Sequence, residues 1–118
     1  MTDYSTIFAN EIMKGIHKIQ VEIKGIPTLV LVDEREPYSL ITTAFIKEWN
    51  LKVKRSFPCK MPSSNGLIIG QARDFPLSIN GVNMSFSMDI VLNKRVPVIV
   101  LGKDWLKYIH ARHIQYLN

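Results

Sequence analysis

A single cysteine, Cys59, stands in 118 residues, so no internal disulfide can brace the fold and the chain suits a reducing compartment. Nothing near Cys59 in sequence supplies a histidine to activate it, and a buried, inert thiol is expected. Long apolar runs are lacking too. The longest, residues 28–32 and 96–101, fall far short of the roughly 20 residues of a membrane-spanning helix, and no signal-peptide pattern opens the chain. These absences point to a soluble intracellular protein, cytoplasmic or nuclear, with no membrane association. There is also no internal repeat, low-complexity tract, glycine-rich phosphate loop, nucleophile elbow or repeated Cys-x-x-Cys, which leaves no ready-made cofactor site.

What is present suffices for one folded domain, since 47% of the residues are hydrophobic and the length can enclose a modest core. The formal net charge is +5, enough to attract an acidic partner. The bases are dispersed, however, with Lys52, Lys54, Arg55 and Lys60 the densest group and only Phe57 among them. That lacks the aromatic stacking platform of a nucleic-acid groove, so a basic β-barrel binding nucleic acid is the minor reading and a solvated edge the ordinary one. His110 and His113 are three apart, but no cysteine or carboxylate adjoins them to complete a metal shell. His17 stands alone. No metal and no cofactor is expected, and Trp49 and Trp105, on apolar helix faces, read as core.

Turn signals recur at strand-like intervals, the pattern of a small all-β domain. Ile19, Val21 and Ile23 alternate with Gln20, Glu22 and Lys24, giving a first strand with one apolar face. Gly25-Ile26-Pro27 turns the chain into residues 28–32, a continuous apolar run suited to a strand buried on both sides. Thr42 or Thr43 caps a short helix with Phe45, Ile46 and Trp49 on one side, ending at Asn50. Asn65-Gly66 marks a hairpin, and Asn80-Gly81 marks another joining residues 75–79 to a long alternating strand, 82–92. Residues 96–101 form a second buried strand stopped by Gly102, followed by a helix from 103 to 110 with Trp105, Leu106 and Ile109 inward. Ile114, Tyr116 and Leu117 close the chain as a terminal strand. Residues 1–16 form a segment of uncertain structure, either a helix bearing Ile7, Phe8 and Ile12 and capped by Ser5 or Thr6, or a strand, and residues 17–118 form the domain.

Two blocks carry most of the information: Leu-Val-Asp-Glu-Arg-Glu-Pro-Tyr-Ser-Leu-Ile over residues 31–41 and Val-Pro-Val-Ile-Val-Leu-Gly-Lys-Asp-Trp-Leu over residues 96–106. Together they resemble the retropepsins, the retroviral and Ty3/gypsy-type, retrotransposon-related aspartic proteases. In that family an apolar strand runs into Asp-Thr/Ser-Gly and a later one into Ile-Leu-Gly-x-Asp-Trp-Leu. The resemblance extends over roughly residues 17–117 and implies a small closed barrel with a flap-type hairpin, here Ser63, Ser64, Asn65 and Gly66, and one or two short helices. It also implies that Asp33 occupies the catalytic position. Asp104 does not; its expected part is to favour the first turn of the last helix, where a carboxylate meets free amides.

Family members of this size supply one Asp per subunit to a homodimer, whose two adjacent carboxylates share a proton so that one activates water. Here Glu34 and Arg35 replace the Thr/Ser and Gly. The hydroxyl contact across the dimer is lost, Arg35 stands where a residue without Cβ is expected, and a guanidinium beside Asp33 opposes a shared proton. The reading that follows is a catalytically inactive pseudo-protease serving as a homodimerisation and protein-binding module. Its implied dimer interface comprises Glu34, Arg35, Ile114, Gln115, Tyr116 and Leu117, with Arg35 paired to Glu34 or Asp33 of the other subunit. The alternative is an active homodimeric aspartic endopeptidase using Asp33.

Overall fold

The computed structural model describes Tyr4, residues 15–56 and residues 59–117. Its strands are β1 Ile16–Ile23, β2 Ile26–Asp33, β3 Leu40–Thr42, β4 Lys54–Ser56, β5 Met61–Ser63, β6 Gly66–Ile79, β7 Val82–Leu92 and β8 Ile99–Leu101, with helices α1 Thr43–Glu48 and α2 Lys103–Ala111. Neighbouring strands run β1-β2-β8-β3-β7-β6, and β6 meets β1 again at Ser78 and Glu22, closing a six-stranded barrel. β4 and β5 both pair with β6 outside that ring. β1 begins at Ile16, and the expected helix of residues 5–12 lies outside the described residues.

β2 and β8 pair in parallel, Leu31 with Val100 and Val32 with Leu101, at the centre of the sheet. Both faces of β2 are covered only from Val30 onward; Leu29 is 55% exposed, so the run expected to be buried on both sides is so only towards its Asp33 end. Val30, Val32, Ile99 and Leu101 point into the barrel core with Trp105 and Ile109. Leu31 and Val100 point the other way, into a smaller cluster with Tyr4, Ile16, Leu40, Val91 and Val98. On β7, Met84, Met88 and Ile90 are buried and Phe86 half-buried, whereas Val82, at the hairpin end, is 40% exposed.

The hairpins follow turn chemistry. Asn80 and Gly81 both take positive φ, 50° and 79°, as a two-residue turn that matches strand twist requires. Lys24 and Gly25 do the same between β1 and β2, one residue earlier than expected. Ser64 and Asn65 form the third turn, with Gly66 already paired to Ser63. β6 runs through Gly70 for 14 residues in all, absorbing irregularities at Ile68/Gly70 and Ala72/Phe75, which bend the strand without stopping it.

Thr42 is a junction. Its buried hydroxyl donates to the Val96 carbonyl at 2.7 Å, accepts from Val98 N at 3.1 Å and caps α1 by accepting from Phe45 N at 3.3 Å. These side-chain bonds take the place of a ladder, which is why only Ile99–Leu101 of the expected strand is regular. Trp49 ends α1 and stacks on Phe45, ring centroids 5.2 Å apart, and Asn50 then takes a φ of 49°. Two expectations are corrected. Cys59 is exposed rather than buried, because its segment lies outside the barrel between β4 and β5. Residues 114–117 form no strand; Ile114 and Tyr116 pack on the barrel core instead, Tyr116 edge-on to Trp105 at 5.5 Å.

Candidate functional site: the Asp33 turn

β2 delivers Asp33 to the end of the central strand, fully buried at 0% exposure. The chain reverses at once, Glu36 N donating to the Asp33 carbonyl at 3.2 Å and Glu34 N to the Gly15 carbonyl at 2.9 Å. Within the turn both oxygens of the Asp33 carboxylate are engaged. Oδ1 accepts from Arg35 N at 2.9 Å and Arg35 Nε at 3.1 Å. Oδ2 accepts from Arg35 Nη2 at 3.3 Å and from the Tyr4 hydroxyl at 3.2 Å. The guanidinium therefore grips both oxygens as a two-pronged fork, the strongest form of such a contact. Tyr4 also donates to Glu36 Oε1, at 3.3 Å. Burial, reinforced by the charges of Glu36 and Asp33, pushes the Tyr4 phenol well above its ordinary range. Hydrogen bonding to Asp33 holds the Arg35 guanidinium still more firmly protonated.

The glycine argument made from sequence fails in one respect. Arg35 is not among the described residues with positive φ, so this turn accepts a side chain without backbone strain. Within the chain, Arg35 turns back on its own Asp33. Glu34 lies 3.5 Å from His17 Nε2.

The second block braces the turn from beneath. Ser39 N donates to both Asp104 oxygens, at 3.0 and 3.1 Å, and Ser39 Oγ donates to Oδ1 at 2.6 Å. Ser39 Oγ in turn accepts from Gly102 N at 2.9 Å. Asp104 also accepts from Trp105 N at 2.8 Å, the expected service to the first turn of α2, but its larger part is to clamp residues 36–39 to the helix. Lys103 N and Asp104 N reach the Glu36 and Pro37 carbonyls at 2.7 and 3.3 Å. Gly102 is required by close approach: a Cβ there would sit 2.6 Å from the Glu36 carbonyl oxygen. Asp89, beside this network, has its carboxyl raised by burial and then by the charge of Asp104.

The other predicted residues are distributed as follows. Tyr116 is close enough to the turn that, after burial, the charge of Glu34 raises its phenol. Gln115 O accepts from Asn80 Nδ2 at 2.9 Å, and Leu117 is 41% exposed. In the flap-type hairpin Ser63 Oγ donates to the Gly66 carbonyl at 2.6 Å, but β6 stays paired with β7 as far as Leu67 and Leu92. Little of this hairpin projects free of the barrel. Lys54 and Arg55 lie on β4, where Arg55 Nη2 donates to the Ile69 carbonyl at 2.6 Å. His110 and His113 are exposed, and among the described residues no group of three His, Cys, Asp or Glu is placed to hold a metal ion. No described helix is long and apolar enough to cross a membrane. Sequence reasoning missed Tyr4 and Ser39. Ser39 had a faint signal, lying in the same block just beyond the turn that follows β2; Tyr4 had none.

Comparison with known proteins gives the family context. A family model described as retroviral aspartyl protease matches residues 6–116. No curated protein sequence matches significantly. Among solved structures, the retroviral protease-like domain of Ddi1 from Leishmania major is similar with a TM-score of 0.61 at 14% identity, over 83% of this chain and 80% of that one. EIAV protease, solved with the inhibitor HBY-793, is similar with a TM-score of 0.61 at 17% identity, over 90% and 96% of the two chains. At such identities the structural likeness bears on the fold, which is retropepsin-like.

Proposed function

This chain belongs to the retroviral aspartyl protease family, and from that premise we propose that it is a catalytically inactive member whose retained fold serves homodimerisation and protein binding. One observation carries the reading. The Asp33 carboxylate is wholly buried and both its oxygens are bound within the chain, by Arg35 and Tyr4. An aspartic dyad needs two carboxylates facing one another and a water, with one proton between them. A carboxylate held in a guanidinium fork and covered by a phenol is neither exposed to water nor free to meet a symmetry mate. The short free span of the β5–β6 hairpin supports the same reading, since closing over a substrate needs a projecting flap.

The surface left for association is the turn and the tail. Tyr38 is 66% exposed and Leu117 41% exposed, and Glu34 and Tyr116 are electrostatic neighbours. A two-fold contact places one such patch against its own copy. The deciding experiment joins two measurements on the wild-type chain: sedimentation equilibrium across a wide concentration range, and cleavage of extended peptides from acidic to neutral pH. A dimer without cleavage supports the proposal. Cleavage that is pepstatin-sensitive and abolished by Asp33→Asn would instead establish the active endopeptidase, and a strict monomer would remove both readings.

A further inference from the structure

We infer that Tyr4 is a latch, which in the single chain holds the Asp33 turn closed and masks the face through which the turn meets a partner copy. The inference rests on the association reading above, but its evidence is separate. Tyr4 is 29 residues from Asp33 and 32 from Glu36 in sequence, yet its hydroxyl reaches both carboxylates, at 3.2 and 3.3 Å. A phenol has one hydrogen to donate. It is shared between two acceptors on opposite limbs of the turn and so ties Asp33, at the strand end, to Glu36, at the exit.

The ring does the rest of the masking. Tyr4 is 6% exposed and packs with Ile16, Leu31, Leu40, Val91, Val98 and Val100, the apolar cluster on the outer side of β2 and β8. Withdrawal of Tyr4 would uncover aliphatic side chains beside a carboxylate still held by Arg35. An apolar recess rimmed by an ion pair is a surface that burial against a second copy would stabilise. The latch is built to be replaceable: Arg35 alone keeps Asp33 paired through three contacts, so opening does not strand a bare buried charge.

The test is Tyr4→Phe, which keeps the ring and removes the shared bond. Amide hydrogen exchange at Arg35 and Glu36, whose N–H groups are bonded inside the turn, is expected to quicken by roughly tenfold, while exchange at Met88 and Ile90 stays as in wild type. The dimer dissociation constant from sedimentation equilibrium is expected to fall by a similar factor. Unchanged exchange in the turn overturns the latch. Faster exchange with unchanged dimerisation shows a turn that opens without controlling association, which overturns the masking. Faster exchange with neither protein dimerising at any concentration keeps the latch and removes the association reading instead. Glu36→Ala, which deletes one of the two acceptors at a half-buried position, carries the same measurements if Tyr4→Phe folds poorly.

Discussion

At the scale of single residues, the turn after Asp33 carries several charges without leaving the buried one stranded. Asp33 is fully buried and Arg35 half-exposed, its side chain 47% accessible. Removing the guanidinium by Arg35→Ala leaves the carboxylate with the Arg35 amide and the Tyr4 hydroxyl. A fully buried pair would cost more, but exposure of one partner moderates the loss, so a destabilisation of about 1–3 kcal/mol is expected in urea unfolding. A change near zero would mean that the fork is ornamental. Tyr4 carries a pH signature. Its phenol is raised above the ordinary value near 10, so the folded chain keeps a proton that the unfolded chain loses. Its stabilising contribution is therefore fully present below about pH 10 and declines as pH rises above that value. Absorbance titration of the four tyrosines should leave at least one un-ionised until alkaline unfolding, and Tyr4→Phe should lessen the loss of stability above pH 10. The identity of the residues at this turn was readable in sequence. Which carboxylate Arg35 selects was not readable, because residues two apart and residues in another subunit are equally within its reach. Nor was Tyr4, whose role depends on a chain path that no local pattern encodes.

At the scale of elements, the turn and helix α2 form one unit through Gly102, Ser39 and Asp104. In Gly102→Ala the new Cβ would lie 2.6 Å from the Glu36 carbonyl oxygen and 3.1 Å from the Tyr38 carbonyl carbon. Both are backbone atoms, so helix and turn must separate together, with an expected cost of roughly 1–3 kcal/mol in denaturant unfolding. Helix content that survives while the Arg35 and Glu36 amides lose protection would locate the damage in the turn. The elements themselves show where local sequence suffices. Asn80-Gly81 forms the turn it announces because both positions need positive φ, and Thr42 caps the helix it precedes. β8 is shorter than its apolar run because a distant hydroxyl, Thr42, takes the bonds of Val96 and Val98. Cys59 was misplaced because the lack of an activating histidine speaks to reactivity and not to burial, and its segment lies off the barrel.

At the scale of the whole molecule, the barrel was legible because its two central strands end in a paired signature, turn and helix, whose residues touch only when the fold is closed. The proposed association is legible only as far as the exposed patch. Each chain carries a formal +5, so two chains repel at long range, and salt that screens this repulsion over a Debye length of about 10 Å at 0.1 M should favour dimerisation. If the contact is apolar, built on Tyr38 and Leu117, the dissociation constant falls as sodium chloride is raised from low to moderate concentration. If ion pairs between subunits hold it, with Arg35 leaving its own Asp33 for the partner's carboxylates, association weakens with salt, and Arg35→Glu abolishes it. The structure favours the first outcome, since Arg35 is already paired within its chain. Leu117→Asp separates interface from fold: at 41% exposure the substitution should leave the unfolding midpoint nearly unchanged while loosening the dimer by roughly tenfold or more, the effect of placing a charge in a desolvated contact. A Leu117→Asp chain that dimerises as wild type would release the tail from the interface and leave the Asp33 turn to carry the association alone.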